Sequence, residues 1–233
     1  MEHDTLTLRI IGDSILKGVL YEKATDRYVS IPGQRLLAWQ EEHGIEVRNN
    51  AMFGCTVTKG LQVLSRCVDR GLDSDLVLLE FGGNDCDFPW SEVAARPEEP
   101  HESFTSLDLF CSSLRTMIHI VKAAGAAPLL MTLPPIDSRR YLTHICRNGL
   151  DERAILHWLG TMENISRRQE LYSLQVVSIA LETGVPLIDV RSGFLARRDC
   201  ADLLCEDGIH PNLRGNDLIW SLIGARLRMR KSA

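Results

Sequence analysis

Short apolar segments alternate with longer amphipathic segments along this chain, and this alternation restricts its fold more than any other feature. The apolar segments have the length of strands and span residues 8–12, 45–49, 75–81, 128–133 and 186–190. Between them, apolar residues recur at helical i, i+3, i+4 and i+7 spacing, most clearly over residues 104–124. Strands that alternate with helices form βαβ units, in which consecutive strands run parallel.

The alternation predicts an α/β fold, a three-layer α/β/α sandwich around a flavodoxin-like, five-stranded parallel sheet with strand order 2-1-3-4-5. The segment over residues 75–81 is apolar almost throughout, which is typical of a central strand covered on both faces. Residues 15–31 are expected to be irregular. The remaining helices are expected over residues 34–42, from near residue 56 to Gly71, over residues 151–182 with a break near Gly160, and from about residue 213.

The composition is that of a globular protein with a substantial core. The chain has 233 residues, 45% of them hydrophobic, and we expect residues 1–233 to form a single domain. A net charge of -5 offers no basic surface to a nucleic-acid backbone. Residues 1–4 are acidic and do not resemble a signal peptide, and no apolar run approaches the roughly 18 residues that span a bilayer. We therefore expect a cytoplasmic protein with neither a nucleic-acid nor a membrane partner.

The seven cysteines are scattered along the chain and contain no C-x-x-C pair, so the sequence predicts no metal site. We expect most of them to be small buried hydrophobic residues. Cys55 and Cys86 differ from the rest because each stands next to a candidate site residue.

The first predicted strand ends in Gly12-Asp13-Ser14, which places a serine at the carboxyl edge of the sheet. Ligands of open parallel sheets bind at that edge, so Ser14 is a candidate nucleophile. Taken alone, such a tripeptide is more often a turn or a helix N-cap. A flavodoxin-type phosphate loop is disfavoured because residues 14–18 contain too little glycine.

Two further segments follow strands at the same edge. Gly54 follows the second strand, and Phe81-Gly82-Gly83-Asn84-Asp85 follows the third. Small residues let the backbone approach a ligand, and an Asn side chain can donate a hydrogen bond to a developing oxyanion. Taken singly, each segment is more typical of a turn.

The segment Glu206-Asp207-Gly208-Ile209-His210-Pro211 stands just before the last predicted helix. An Asp and a His three residues apart can meet side by side, so that the carboxylate binds Nδ1–H while Nε2 faces a nucleophile. Pro211 disfavours a helical conformation at His210 and ends the turn there. The alternative is an N-terminal helix cap beside a surface histidine.

In order and spacing, these four segments resemble the four sequence blocks of the SGNH (GDSL) hydrolase superfamily of serine esterases and acylhydrolases. The resemblance implies that Ser14 is the nucleophile, that His210 is the general acid and base, and that Asp207 orients His210. It also implies an oxyanion hole formed by the backbone N–H groups of Ser14 and Gly54 and the side-chain amide of Asn84. The implied fold is the flavodoxin-like sandwich already predicted, and the implied mechanism needs no cofactor.

Two other kinds of protein fit the sequence less well. Leu16 stands where the Gly-x-Ser-x-Gly elbow of α/β-hydrolases has its second glycine, which argues against that larger fold. A non-catalytic binding domain of the SGNH fold is the other alternative, and the presence of the whole set of site residues disfavours it.

The sequence constrains the substrate only loosely. We expect the pocket walls to come from residues 85–102, which are rich in proline and glutamate, and from residues 134–141. The candidate substrate-binding residues are Asp13, Asp85, Trp90, Arg139 and Tyr141. For residues 139–141 an exposed basic turn is the alternative. We expect a small acyl ester, such as an acetyl ester, of a polar alcohol such as a carbohydrate; the alternative is a lysophospholipase- or thioesterase-type acyl hydrolase.

Overall fold

A computed structural model of the protein describes residues 5–231, so the acidic residues 1–4 lie outside the described part of the chain. Its elements, in chain order, are β1 (Leu6–Gly12), α1 (Ser14–Lys17), β2 (Val19–Glu22), β3 (Arg27–Ser30), α2 (Gly33–His43), β4 (Ile45–Asn49), α3 (Val57–Asp69), β5 (Leu76–Glu80), α4 (Trp90–Ala95), α5 (Leu107–Ala123), β6 (Ala127–Met131), α6 (Ser138–Cys146), α7 (Glu152–Leu159), α8 (Asn164–Thr183), β7 (Leu187–Ile188), α9 (Val190–Leu195), a 3-10 turn (Cys200–Leu203) and α10 (Leu213–Lys231).

A five-stranded parallel sheet lies at the centre, with strands in the order β4, β1, β5, β6 and β7. Counted along the chain, these strands have the order 2-1-3-4-5, which confirms the prediction. Every residue of β5 is buried, as expected for a central strand. The register pairs Gly12 with Glu80, so the segments after β1 and β5 leave the sheet side by side at its carboxyl edge.

Two apolar clusters cover the two faces of the sheet and complete the three layers. Alternate residues of β5 contribute to opposite clusters, Val77 and Leu79 to one and Leu76 and Leu78 to the other, because strand side chains alternate between faces. The first cluster includes buried residues of α3, α5 and α8, and the second includes buried residues of α2, α9 and α10. Each fully buried large side chain stabilises this packing by about 1.5–3 kcal/mol.

Residues 15–31, expected to be irregular, instead form α1 and an antiparallel hairpin of β2 and β3. That expectation was wrong because every residue of β3 is exposed, so this strand lacks the apolar alternation of a half-buried strand.

The last strand is also shorter than expected. It ends at Ile188 because the Asp189 side chain caps α9, accepting a hydrogen bond from the backbone N–H of Ser192.

A third apolar cluster lies outside the sandwich, on helices that follow β5 and β6. We call α4, α6, α7 and the loop between α6 and α7 the cap. Trp90 packs in it with Val93, and Leu142 packs with Ile145, each pair being three residues apart on one helix face. These short apolar faces bury one another rather than the sheet, and residues 85–102 and 134–141 are therefore partly helical. Among residues 5–231, no helix combines the length and the apolar character needed to cross a membrane.

Candidate active site

Ser14 stands where β1 turns sharply into α1. The Asp13 side chain caps this helix, its Oδ1 accepting a hydrogen bond of 2.8 Å from the backbone N–H of Ile15. Gly18, with φ of 74°, ends the helix after a single turn. The serine is consequently fixed at the carboxyl edge of the sheet with only 6% of its surface exposed.

His210 joins Ser14 to Asp207 in an unbroken line of hydrogen bonds. Its Nε2 lies 2.9 Å from Ser14 Oγ, and its Nδ1 lies 2.6 Å from Asp207 Oδ2. The other carboxylate oxygen of Asp207 accepts from the backbone N–H groups of Ile209 and His210. Burial raises the pKa of Asp207. The hydrogen bond from His210 and the charge of His210 lower this pKa by more than burial raises it, so the pKa lies below its ordinary value. The carboxylate therefore stays ionised and holds the imidazole in place.

The turn that carries this pair is joined directly to the start of α6, a helix of the cap. The backbone N–H of Asp137, which caps α6, donates to the carbonyl of Gly208 at 2.8 Å. Gly208 has φ of 78°, and a Cβ on it would lie 2.6 Å from the Asp137 carbonyl oxygen. Glycine is required here both by the left-handed backbone and by this close approach.

The predicted oxyanion-hole donors come from three segments that hydrogen bonds hold together. Asn84 Nδ2 donates to Asp13 Oδ2 at 3.0 Å and to the carbonyl of Cys55 at 3.4 Å. Gly54, with φ of 65°, lies in the turn before Cys55. Within residues 5–231, the backbone N–H groups of Ser14 and Gly54 have no hydrogen-bond acceptor. Two of the three candidate donors are thus free, and the third is held by Asp13.

Beneath these groups lies a buried carboxyl group that the sequence analysis did not single out. Glu80, at the end of β5, is fully buried, and its Oε2 accepts a hydrogen bond of 3.3 Å from the backbone N–H of Asp13. Burial and the charge of Asp13 raise the pKa of Glu80 well above its ordinary value, which favours the neutral form of this carboxyl group. The sequence does contain a signal for this group, because Glu80 is an acidic residue inside an otherwise apolar predicted strand.

A cavity of about 440 Å³ opens beside Ser14 and extends under the cap. Asp13, Trp90 and Tyr141 line it, as do Asn84 and His210. Most of the remaining wall is apolar, formed by Ile15, Phe88, Leu133, Pro134, Ile136, Ile145, Leu150, Ile165 and Ile209.

Two of the predicted substrate-binding residues are not in this wall. Asp85 is fully buried elsewhere, where its Oδ1 accepts from the backbone N–H of Val57 at 2.9 Å and so fixes the start of α3. Arg139 is exposed on α6 and is not among the residues that line the cavity. Its segment is a helix rather than a basic turn, because Asp137 caps it and Leu142 and Ile145 anchor it in the cap.

The cavity also has residues that the sequence analysis missed, namely Tyr28, Phe53, His144, Arg147 and Arg168. Tyr28 reaches its mouth from the hairpin and lies with its hydroxyl 2.9 Å from His144 Nε2. Its ring and that of Phe53 lie on His210, with centroids 5.2 and 6.1 Å away. Both rings are partly exposed, at 37% and 52%, so His210 faces the open end of the cavity.

The GDSL-like lipase/acylhydrolase family model matches residues 10–218, which include every residue of the proposed triad and oxyanion hole. The chain belongs to this family. The resemblance to SGNH (GDSL) hydrolases is thereby confirmed, and the protein is an ester hydrolase of the SGNH type. None of the curated proteins matches the chain in sequence.

Solved structures of several hydrolases share its fold. A lipase/acylhydrolase from Enterococcus faecalis is 21% identical, with a TM-score of 0.69 over 97% of this chain and 96% of the other. A catalytic mutant of an acetylxylan esterase from Geobacillus stearothermophilus is 18% identical, with a TM-score of 0.63 over 95% of this chain and 94% of the other. An α/β hydrolase from the metagenome of Lake Arreo, Spain, is 21% identical, with a TM-score of 0.65 over 95% and 94%.

Proposed function

We propose that this GDSL-family hydrolase cleaves carboxylic esters through a covalent acyl-enzyme formed on Ser14. The observation that carries the proposal is the line of hydrogen bonds from Ser14 through His210 to Asp207, at 2.9 and 2.6 Å. Nucleophile, base and orienting carboxylate at these distances form the arrangement that activates a serine.

The proposed reaction proceeds in two halves. His210 Nε2 takes the Ser14 proton as the hydroxyl attacks the ester carbonyl, and then returns it to the departing alcohol. The oxyanion accepts hydrogen bonds from the backbone of Ser14 and Gly54 and from Asn84 Nδ2, which exchanges its long bond to the Cys55 carbonyl for one to the oxyanion. Water, activated by the same histidine, then hydrolyses the acyl-enzyme.

A fluorophosphonate probe tests the nucleophile, because an activated serine attacks phosphorus as it attacks an acyl carbon. We expect mass spectrometry to locate the label on Ser14, and Ser14→Ala to lose both labelling and esterase activity. Ser91 offers a matched control, since it lines the same cavity but has no hydrogen bond to a histidine in the described chain. Labelling that persists in Ser14→Ala and disappears in Ser91→Ala would contradict the assignment of Ser14 as the nucleophile.

The cavity also bears on the acyl group. The sequence favoured a small acyl ester of a polar alcohol, and the similarity to an acetylxylan esterase extends to the fold alone. An apolar cavity of roughly 150 Å³ is enough for benzene, whereas this one has about 440 Å³ and a largely apolar wall. We therefore propose an acyl hydrolase for chains longer than acetyl, which is closer to the lysophospholipase- or thioesterase-type alternative that the sequence left open.

A further inference from the structure

We propose that Arg168 forms a carboxylate-binding subsite in the cavity, so that the preferred acyl chain ends in a carboxylate. The inference rests on the proposed function, because it takes the ester carbonyl to be attacked by Ser14. It adds a chemical class of substrate, the half-esters of dicarboxylic acids.

Arg168 enters the cavity from α8 with its guanidinium held by aromatic rings. Its Cζ lies 5.7 Å from the centroid of Phe88 and 5.3 Å from that of Tyr172. One Nη atom donates to Ser103 Oγ at 3.1 Å, while the buried Nε has no hydrogen-bond partner. The second Nη atom is not among the buried atoms, so it remains accessible to the carboxylate of a ligand.

Arg168 also has no counter-ion. Among the side chains that the structure describes, no carboxylate lies within ion-pair distance of it. Arg147, the other arginine of the wall, is bonded to Asp26 at 3.0 Å. The carboxylates of the wall, Asp13 and Asp87, each accept hydrogen bonds at both oxygens.

A partly buried cation without an anion is costly, because burial removes water that nothing charged replaces. Arg168 retains its position through the two rings and one hydroxyl, which compensate only part of that cost. An anion supplied by the substrate would complete the site. The surrounding apolar wall then contacts the methylene groups that separate this anion from the ester.

The mouth of the cavity indicates which half of the ester carries the anion. The departing alcohol receives its proton from His210 Nε2, and His210 lies against the partly exposed rings of Tyr28 and Phe53. The alcohol half consequently lies at the open end. This leaves the acyl half to extend under the cap, along the wall that includes Arg168.

The test compares p-nitrophenyl half-esters of adipic and suberic acids with p-nitrophenyl hexanoate and octanoate, which match them in chain length. We expect kcat/KM of the wild-type enzyme to favour the half-esters by about 10- to 100-fold, the range of a charge-assisted hydrogen bond. Arg168→Gln should abolish this preference, and Arg168→Lys should retain part of it, because lysine keeps the charge but not the planar fork.

Arg167→Gln is the matched control, since Arg167 is exposed on the same helix and is not in the cavity wall. This variant should keep the wild-type preference. Each preference is a ratio measured on one preparation, so a partly unfolded variant does not distort it. If an Arg168 variant fails to fold, a measurement on the wild-type enzyme takes its place. In that measurement free suberate and free octanoate are compared as inhibitors, and suberate should inhibit more strongly.

Two results would overturn the inference: a wild-type enzyme that hydrolyses both series equally, and a preference that survives in Arg168→Gln. The second would leave Arg168 with a purely structural contact to Phe88 and Tyr172. Neither result affects the proposed function, which fails only if neutral esters are not hydrolysed or if Ser14→Ala remains active.

Discussion

At the scale of single residues, Asn84 separates a working hydrolase from a fold that only resembles one. A donor aimed at the oxyanion acts mainly in the transition state, where negative charge develops. For Asn84→Ala we expect kcat to fall by roughly 10²- to 10³-fold with KM nearly unchanged. Steady-state kinetics on a series of p-nitrophenyl esters measures both parameters.

The hydrogen bonds of Asn84 to Asp13 and to the Cys55 carbonyl give it a competing structural role. On that view Asn84→Ala lowers the melting temperature while kcat per folded molecule is preserved. Both quantities should be measured on the same preparation. A destabilised but fully active variant contradicts the oxyanion role.

The sequence singles out the candidate triad residues more readily than those of the cavity wall. Ser14 and His210 stand in short segments at strand and helix ends, and the family resemblance extends to those segments. Arg168 stands within a predicted helix, and nothing local distinguishes it from the exposed Arg167 beside it. Its place in the wall depends on how α8 packs beside the cap, which is a tertiary property.

At the scale of elements, our proposal is that the cap limits the length of the acyl chain. We expect kcat/KM for p-nitrophenyl esters to rise from acetate through butyrate to hexanoate, by up to about four-fold for each methylene group buried against the wall. Leu150→Trp, which adds bulk in the segment between α6 and α7, should move the optimum to shorter chains.

Leu174→Trp serves as the control for added bulk, since Leu174 is 62% exposed on α8 and is not in the cavity wall. Its chain-length profile should match that of the wild type. A wild-type profile that peaks at acetate would contradict the longer-chain proposal and would favour the small acyl ester expected from the sequence as the substrate.

The elements that the sequence did not predict have a common physical cause. The strands of the sheet and the long helix α5 bury their apolar residues against the main core, so their periodicity is strong. The hairpin and the cap helices α4 and α6 pack on small local surfaces, whereas α7 was predicted as part of the helical tract over residues 151–182. No residue of β3 is buried, and α4 spans only residues 90–95, too few for a helical period to stand out.

At the scale of the whole molecule, buried acids beneath the site make stability depend on pH. Burial raises the pKa of Asp85 from 3.8 to about 6. Between these values the folded protein holds a proton that the unfolded chain releases, so the free energy of unfolding falls as pH rises from about 4 to about 6. The loss from this group is at most about 3 kcal/mol.

Asp85→Asn removes this titration and leaves Glu80 in place. We expect the stability of the wild type, relative to the variant, to decrease as pH rises through that window and to be constant above it. Urea unfolding of both proteins from about pH 4 to about pH 7 measures the difference. A difference that does not change with pH would show that Asp85 titrates alike in the folded and unfolded chains.

The bond between Asp137 and Gly208 has a consequence for redesign of this enzyme. Because α6 of the cap begins at the residue that holds the histidine-bearing turn, we expect a foreign segment grafted after β6 to alter the support of His210 as well as the walls of the cavity. Chain-length preference and turnover should therefore change together, and an exchange that preserves turnover has to retain both the backbone at 137 and the glycine at 208.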